Sequence, residues 1–163
     1  PVTELVTGVD VICQQIRIAA GERLSLRQRD IQMRGHAIEC RLNAEDPFTF
    51  MPSPGRVTGW HMPGGPGVRI DSHVYDGYLV PPHYDSMSGK LIVHGPDRAA
   101  ALSRMRVALS EVAVEGIKTN VALHRRILSD PGFNEGGMSI HYLEQRLGDW
   151  TSAQSKVPAG EAK

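Results

Sequence analysis

In the segment His36 to Pro47, "HAIECRLNAEDP", Glu39, Arg41 and Asn43 stand at alternating positions. In an extended chain these three share one face, and Ile38, Cys40 and Leu42 share the other. An arginine mounted on a strand can hold an oxyanion through two parallel hydrogen bonds, with its charge fixed at any working pH. A one-sided antiparallel sheet turns the same alternation toward water, so the period alone admits both a binding face and a solvated one. The second place of interest is "VPPHYDSMSGKL", Val80 to Leu91. Two prolines fix an extended approach and deliver Asp85 to the entrance of a strand. A carboxylate there is either a turn former or the partner of a basic group, for which Arg41 is the candidate.

Several other chemistries find no support. "SGK", Ser88 to Lys90, lacks the glycine spacing of a phosphate-binding loop, and neither GxSxG nor HExxH occurs. "PGGPG", Pro63 to Gly67, joins two expected strands rather than opening a helix, so it reads as a hairpin loop. The seven histidines form no His-x-His or i,i+4 pair. His61, His73 and His83 could meet only through folding, and no metal site is assigned. His124 and His141 read as solvent-facing or capping residues on helices near the C-terminus. Lys plus Arg and Asp plus Glu balance at 18 each, which argues against a general binder of nucleic acid or acidic membrane. Cys13 and Cys40 have no zinc or redox spacing and read as buried free thiols of a reducing, cytoplasmic setting. No apolar run approaches a membrane span, and no signal-peptide pattern is present.

The elements that must position these residues follow from periodicity. "TGVDVICQQIRIAAG" predicts a first helix capped by Thr7, with Asp10 as the reciprocal acid and Gly21 as the stop. "ERLSLRQRDIQMR" is a polar connector. Strands are expected over Gly35 to Ala44, Arg56 to Met62, Val68 to Tyr75 and Lys90 to His94, and "YDGY" carries the Asp-Gly favoured in a tight hairpin turn. After Pro96 the period changes to about 3.6, with Leu102, Met105, Leu109 and Val112 on one helix face from near Asp97. "TNVALHRRIL" and "SIHYLEQRLG" predict two shorter helices. The last has Ile140, Leu143 and Leu147 on one face and Gly148 as its stop. Residues 149–163 lack an apolar pattern and are expected to be a disordered tail. Strands first and helices later give an α+β fold, a mostly antiparallel sheet followed by C-terminal helices. A chain of 163 residues can bury roughly 70% of its unfolded surface in one domain. It begins at Pro1 in an organised segment, which reads as a piece of a longer polypeptide.

"PVTELVTGVDVICQQIRIAAG", "GHAIECRLNAEDP", "MPSPG", "GGPGVRIDSHVYDGYLVPPHYDSM", "GKLIVHG", "GIKTN" and "GGMSIHYLE" together resemble the C-terminal region of the biotin carboxylases. "VPPHYDSM" with "SIHYLE" is most similar to the biotin carboxylase subunit of bacterial acetyl-CoA carboxylase. Branches acting on propionyl-CoA, pyruvate or urea remain open. The resemblance implies that residues 1–33 are the trailing helix and connector of an ATP-grasp region and 34–148 the biotin carboxylase C-terminal domain. The first helix is expected to pack on a lobe outside this chain. Such enzymes use ATP, with Mg2+ or Mn2+, to convert bicarbonate to carboxyphosphate, which breaks down to carbon dioxide and phosphate. Phosphate then takes the ureido N–H proton of biotin. The metal and most nucleotide ligands would lie outside these residues, as would the Glu-His that precedes Pro-Val-Thr-Glu in the family, so this chain alone is expected to be inactive.

Carried over residue by residue, Arg41 matches the arginine of the family's Glu-Cys-Arg motif, a catalytic and biotin-binding group that would stabilise charge on the ureido oxygen. Asp85 would orient Arg41 or help place biotin. Ile140 and His141 match the segment at the adenine edge, although Ile140 is equally readable as helix core. Pro66 and Arg69 fall in the loop that contributes to a homodimer interface. Ser88 stands where relatives often carry an aliphatic residue, and Pro66 where an aromatic is common, so dimerisation would lack one anchor. The implied partners are biotin carboxyl carrier protein, carboxyltransferase subunits and bicarbonate, with no nucleic acid and no membrane. The implied role is the first step of malonyl-CoA formation in cytoplasmic fatty acid biosynthesis. The rival from another class is a non-catalytic scaffold that keeps this fold to hold partner proteins.

Overall fold

The computed structural model describes residues 1–154. In chain order they form α1 (Val2–Thr7), α2 (Val11–Ala19), a single 3-10 turn (Gln28–Asp30), β1 (His36–Asn43), β2 (Gly55–Arg56), β3 (Gly59–His61), β4 (Val68–Ser72), β5 (Leu79–Val80), β6 (Met87–Gly95), α3 (Arg98–Glu111), β7 (Ala113–Glu115), α4 (Val121–Ser129), α5 (Pro131–Glu135) and α6 (Tyr142–Gln154). The fold is α+β, as expected. β6 is the centre of a three-stranded antiparallel sheet in the order β1-β6-β4, and two smaller ladders join β2 to β5 and β3 to β7.

The parity of β1 decides which way that sheet faces. Ile38, Cys40 and Leu42 are buried, opposite Val93, Leu91 and Gly89 of β6. Their face packs on α3, which contributes Ala101, Leu102, Met105, Ala108 and Leu109 at helical spacing. Val112, Val121 and Leu128 close this core. Asp97 starts α3 by accepting a hydrogen bond from the Ala100 N–H at 2.8 Å, an N-cap on extended backbone. The expected apolar face of α3, Leu102 to Val112, is the buried one. A second, smaller cluster of Ala44, Val57, Val74 and Val80 lies under the β2–β5 ladder.

The local departures have physical causes. The segment expected as one strand over Arg56 to Met62 is split. The Val57 N–H donates to Tyr78 O at 2.9 Å, and the next residue's N–H donates to Glu115 O at 2.9 Å. The chain thus changes partner from β5 to β7 between two neighbouring residues. "PGGPG" is not a hairpin loop, because β3 belongs to one ladder and β4 to another. Gly67, at φ 73°, passes so near the Arg104 guanidinium and His94 O that a Cβ would collide with both. "YDGY" makes a tight turn, Tyr78 N–H to Tyr75 O at 3.0 Å with Gly77 at φ 90°, yet its flanking strands do not pair with each other.

Thr7 is not the cap of the helix that carries Cys13. It ends α1, its hydroxyl donating to Thr3 O, and Asp10 caps α2 by accepting from the Cys13 N–H at 2.8 Å. Gly148 does not stop the last helix, which continues to Gln154. Glycine inside a helix costs about 1 kcal/mol relative to alanine. Beyond it Trp150 is buried, with the Arg126 guanidinium 4.9 Å from its ring centre, and that contact favours continuing. Of the expected tail, residues 149–154 belong to α6 and 155–163 lie outside the described residues.

Candidate functional site

The outer face of the main sheet is a lattice of charge. Directly opposite residues of antiparallel strands share a face, so Arg41, Lys90 and Asp71 form one row across β1, β6 and β4, and Glu39, Ile92 and Arg69 the next. α1 lies over the second row, where Ile92 is fully buried. Glu4 of α1 sits 3.0 Å from Arg69, which also holds Asp71 at 2.8 Å. These two carboxylates, Asp71 foremost, raise the Arg69 pKa. The Pro1 nitrogen is 3.1 Å from one oxygen of Glu39, and the other oxygen is 3.6 Å from Nε of Arg41. α1 leaves the first row open: the Arg41 side chain is 68% exposed. Lys90, half-buried beside it, makes no ion pair among the described residues. Two cations therefore stand side by side across the ladder, with Glu39 beside Arg41 and Asp71 opposite Lys90 on its other flank.

Arg41 is exposed at its head, beside Glu39, and fixed at its root. Its carbonyl oxygen accepts from Nδ2 of Asn120 at 3.0 Å and lies 2.8 Å from Nε2 of His124. Asn120 is 5% exposed. Its Oδ1 accepts the Asn43 N–H at 2.9 Å, and its own N–H donates to Asn43 O at 3.2 Å. Burial lowers the pKa of His124, which favours the neutral ring, and Nε2 is the donor because a carbonyl oxygen can only accept. Periodicity misses both residues, and it casts His124 as solvent-facing or capping. Their partners are backbone atoms about 80 positions away, which no local period records. Asn43 itself turns its Nδ2 to Glu45, 3.2 Å away, and Glu45 takes the Ser86 hydroxyl at 3.2 Å.

The remaining expected residues are dispersed. Asp85 is not joined to Arg41. Its Oδ1 accepts the Met87 N–H at 2.8 Å, a side-chain turn at the entrance of β6, and the carboxylate paired with Arg41 is Glu39. Asp85 lines a cleft of about 380 Å³ with His73, Tyr78, Tyr84 and Ser88. Ser88, at the position where relatives often carry an aliphatic residue, is buried and donates to Ser86 O at 3.3 Å. Ile140 is 91% exposed, so it is not helix core; it precedes α6. His141 is exposed, 3.5 Å from Glu144. Pro66 is exposed at the tip of the loop before β4, and Arg69 is half-buried in its ion pairs. Cys40 is buried and Cys13 only half-buried, both as free thiols. Among the described residues no group of three or more His, Cys, Asp or Glu is placed to hold a metal ion, and no helix is long and apolar enough to cross a membrane.

Comparison with known proteins gives this geometry a family. Residues 39–145 match the biotin carboxylase C-terminal domain. Biotin carboxylase of Allochromatium vinosum is 64% identical over 148 residues, and that of Pseudomonas aeruginosa 61%. Each alignment takes in 91% of this chain and 33% of the relative, so the chain spans about a third of the length of the curated relatives it matches. Among solved structures, the dimeric biotin carboxylase domain of Hydrogenobacter thermophilus 2-oxoglutarate carboxylase, crystallised with MgADP and bicarbonate, superposes with a TM-score of 0.86 at 46% identity, over 90% of this chain and 32% of that one. On the matched residues and the shared fold, the chain belongs to the biotin carboxylase C-terminal domain family.

Proposed function

We propose that this chain is the biotin-contacting end of an ATP-dependent biotin carboxylase, in which Arg41 stabilises the charge that develops on the ureido oxygen. The observation that carries the reading is the mounting of Arg41, with an exposed guanidinium on a strand whose backbone is pinned from the other side. A cation so held needs no reorganisation when negative charge appears, which is the condition for electrostatic stabilisation of a transition state. Phosphate released from carboxyphosphate takes the ureido N–H proton. The electron pair left on nitrogen is delocalised onto the carbonyl oxygen against Arg41, and the nitrogen then attacks carbon dioxide.

In this reading Asp85 acts through the turn it builds at Met87, opposite Asn43 in the ladder, rather than by touching Arg41. The exposed Ile140–His141 segment supplies the adenine edge, and Pro66 with Arg69 a homodimer contact. ATP, its Mg2+ or Mn2+, and bicarbonate activation belong mainly to residues outside this chain. A metal ion would supply charge neutralisation on the transferring phosphates, and the described residues offer no cluster for one. The partners are a biotin carboxyl carrier protein and carboxyltransferase subunits in the cytoplasm. The product serves acetyl-CoA carboxylation and fatty acid biosynthesis, in line with bacterial relatives named only as biotin carboxylases. A second branch, carboxylation of pyruvate, is favoured by one observation: a protein of Methanothermobacter thermautotrophicus named as one of the subunits of pyruvate carboxylase is 51% identical over 146 residues.

The test is Arg41→Ala in the full-length enzyme. The expected outcome is a fall in biotin carboxylation on the order of 10²–10³-fold with KM for ATP unchanged. Equal carboxylation in variant and parent would sink the assignment and leave the scaffold role in its place.

A further inference from the structure

β1 is an edge strand of its sheet, and an edge strand ordinarily presents unpaired N–H and C=O groups. From Arg41 to Asn43 that edge is closed by α4 and the residue before it. Asn120 supplies a donor, an acceptor and its own N–H there, the groups that a neighbouring strand would have supplied. His124, one turn along α4, adds a second donor to the same Arg41 oxygen. Both approach Arg41 from the backbone side.

We propose that Asn120, seconded by His124, is a positioning residue that fixes the backbone of Arg41 and so aims its guanidinium; this rests on the reading of Arg41 given above. Asn120 is buried, and its side chain bonds to two residues of the strand, Arg41 and Asn43. A pin that served only to attach α4 to the sheet could sit anywhere along β1, whose strand also carries the apolar residues Ile38, Cys40 and Leu42. The pin falls instead on the carbonyl of Arg41, which both Asn120 and His124 reach, and on the N–H and carbonyl of Asn43 two residues along. Misplacement of a catalytic group by about 1 Å can cost 10²-fold in rate, so the hold on the strand matters to the reaction as much as the side chain it carries.

The experiment uses the full-length carboxylase with Asn120→Ala and, because that change leaves the Asn43 N–H without an acceptor, also Asn120→Asp, which keeps that acceptor and replaces the donor to Arg41 by a carboxylate oxygen. A core change of matched melting temperature, such as Val112→Ala, serves as control. The expected result is a fall in biotin carboxylation of about ten- to a hundredfold with KM for ATP unchanged. Hydrogen exchange should be faster over residues 37–44 in Asn120→Ala, and no comparable change should occur in the control. In an Arg41→Ala background the Asn120 change should have little further effect on rate, because the two act through one group. Full additivity with Arg41→Ala, or a fall no larger than the control's, overturns the proposal. If Arg41→Ala alone is without effect, the functional reading fails. Exchange over 37–44 then decides the pin by itself, and unchanged exchange in Asn120→Ala overturns it.

Discussion

Two adjacent side chains can lead opposite chemical lives when a strand sends them to opposite faces. Arg41 carries an exposed charge, while its neighbour Cys40 points into the core, where burial first and the Glu39 charge second push its thiol up to about 12. The thiolate is the reacting form, so at pH 8 Cys40 is essentially all thiol and also inaccessible. Brief alkylation with iodoacetamide at that pH should label Cys13, half-buried on α2, and spare Cys40 until the chain is unfolded, read by peptide mass. Labelling of Cys40 in the folded chain at the rate of Cys13 would refute this account of the inner face. At the residue scale the sequence is a partial guide. The outward placement of Arg41 is legible because one-sided burial writes a period of two into β1, while the role expected of it comes from the resemblance. Asn120 and His124 are not, since a side chain bonded to a distant carbonyl leaves no trace in spacing. Asp85 is legible as a residue with a turn-forming option, and the turn is what its oxygen makes.

At the scale of elements, α3 is the member on which the sheet depends. Its buried residues recur at helical spacing from Ala101 to Leu109, and its start is fixed by one carboxylate. Asp97→Ala should cost about 1 kcal/mol through loss of the cap. Met105→Ala, which empties a fully buried site between helix and sheet, should cost about 2–5 kcal/mol through lost transfer energy and the cavity left behind. Urea unfolding of both variants tests the ranking, and a cap variant as damaging as the core variant would contradict it. Long elements such as α3 and β6 are readable because many residues repeat one decision between core and water. The ladders β2–β5 and β3–β7 are two and three residues long. They carry no period, and the chain between them changes partners at Val57, information held by Tyr78 and Glu115 far along the sequence.

For the whole molecule, the uneven feature is α2. None of its residues is buried, and Ile12 and Ile16 are 66% and 65% exposed. In the chain as it stands, Ile12→Ser and Ile16→Ser should change the free energy of unfolding by no more than about 0.5 kcal/mol, as expected of exposed positions away from the core. In the reading proposed above, the same changes lower the stability of the full-length enzyme, where α2 meets a lobe outside this chain. Urea titration of both forms separates the two, and equal effects in both would argue against that lobe. The amphipathic pattern of α2 is plain in the sequence, yet a pattern names a face to be covered without naming its cover.

The antiparallel register carries a consequence for the order in which the molecule is made. β1 finds its ladder partner in β6, where Met87 pairs with Asn43 and Gly95 with His36. A ribosome adds about 5–20 residues each second, so the strand bearing Arg41 waits for seconds after emergence before β6 can pair with it. Ile38, Cys40 and Leu42 stay uncovered until α3 follows, and Asn120 arrives later still. Nascent chains in which β1 has emerged and β6 has not therefore hold an apolar strand without its ladder partner, whereas those in which α4 has also emerged have the groups that bond the Arg41 carbonyl. Chaperone demand should be greatest in that first interval and should end with synthesis of α3.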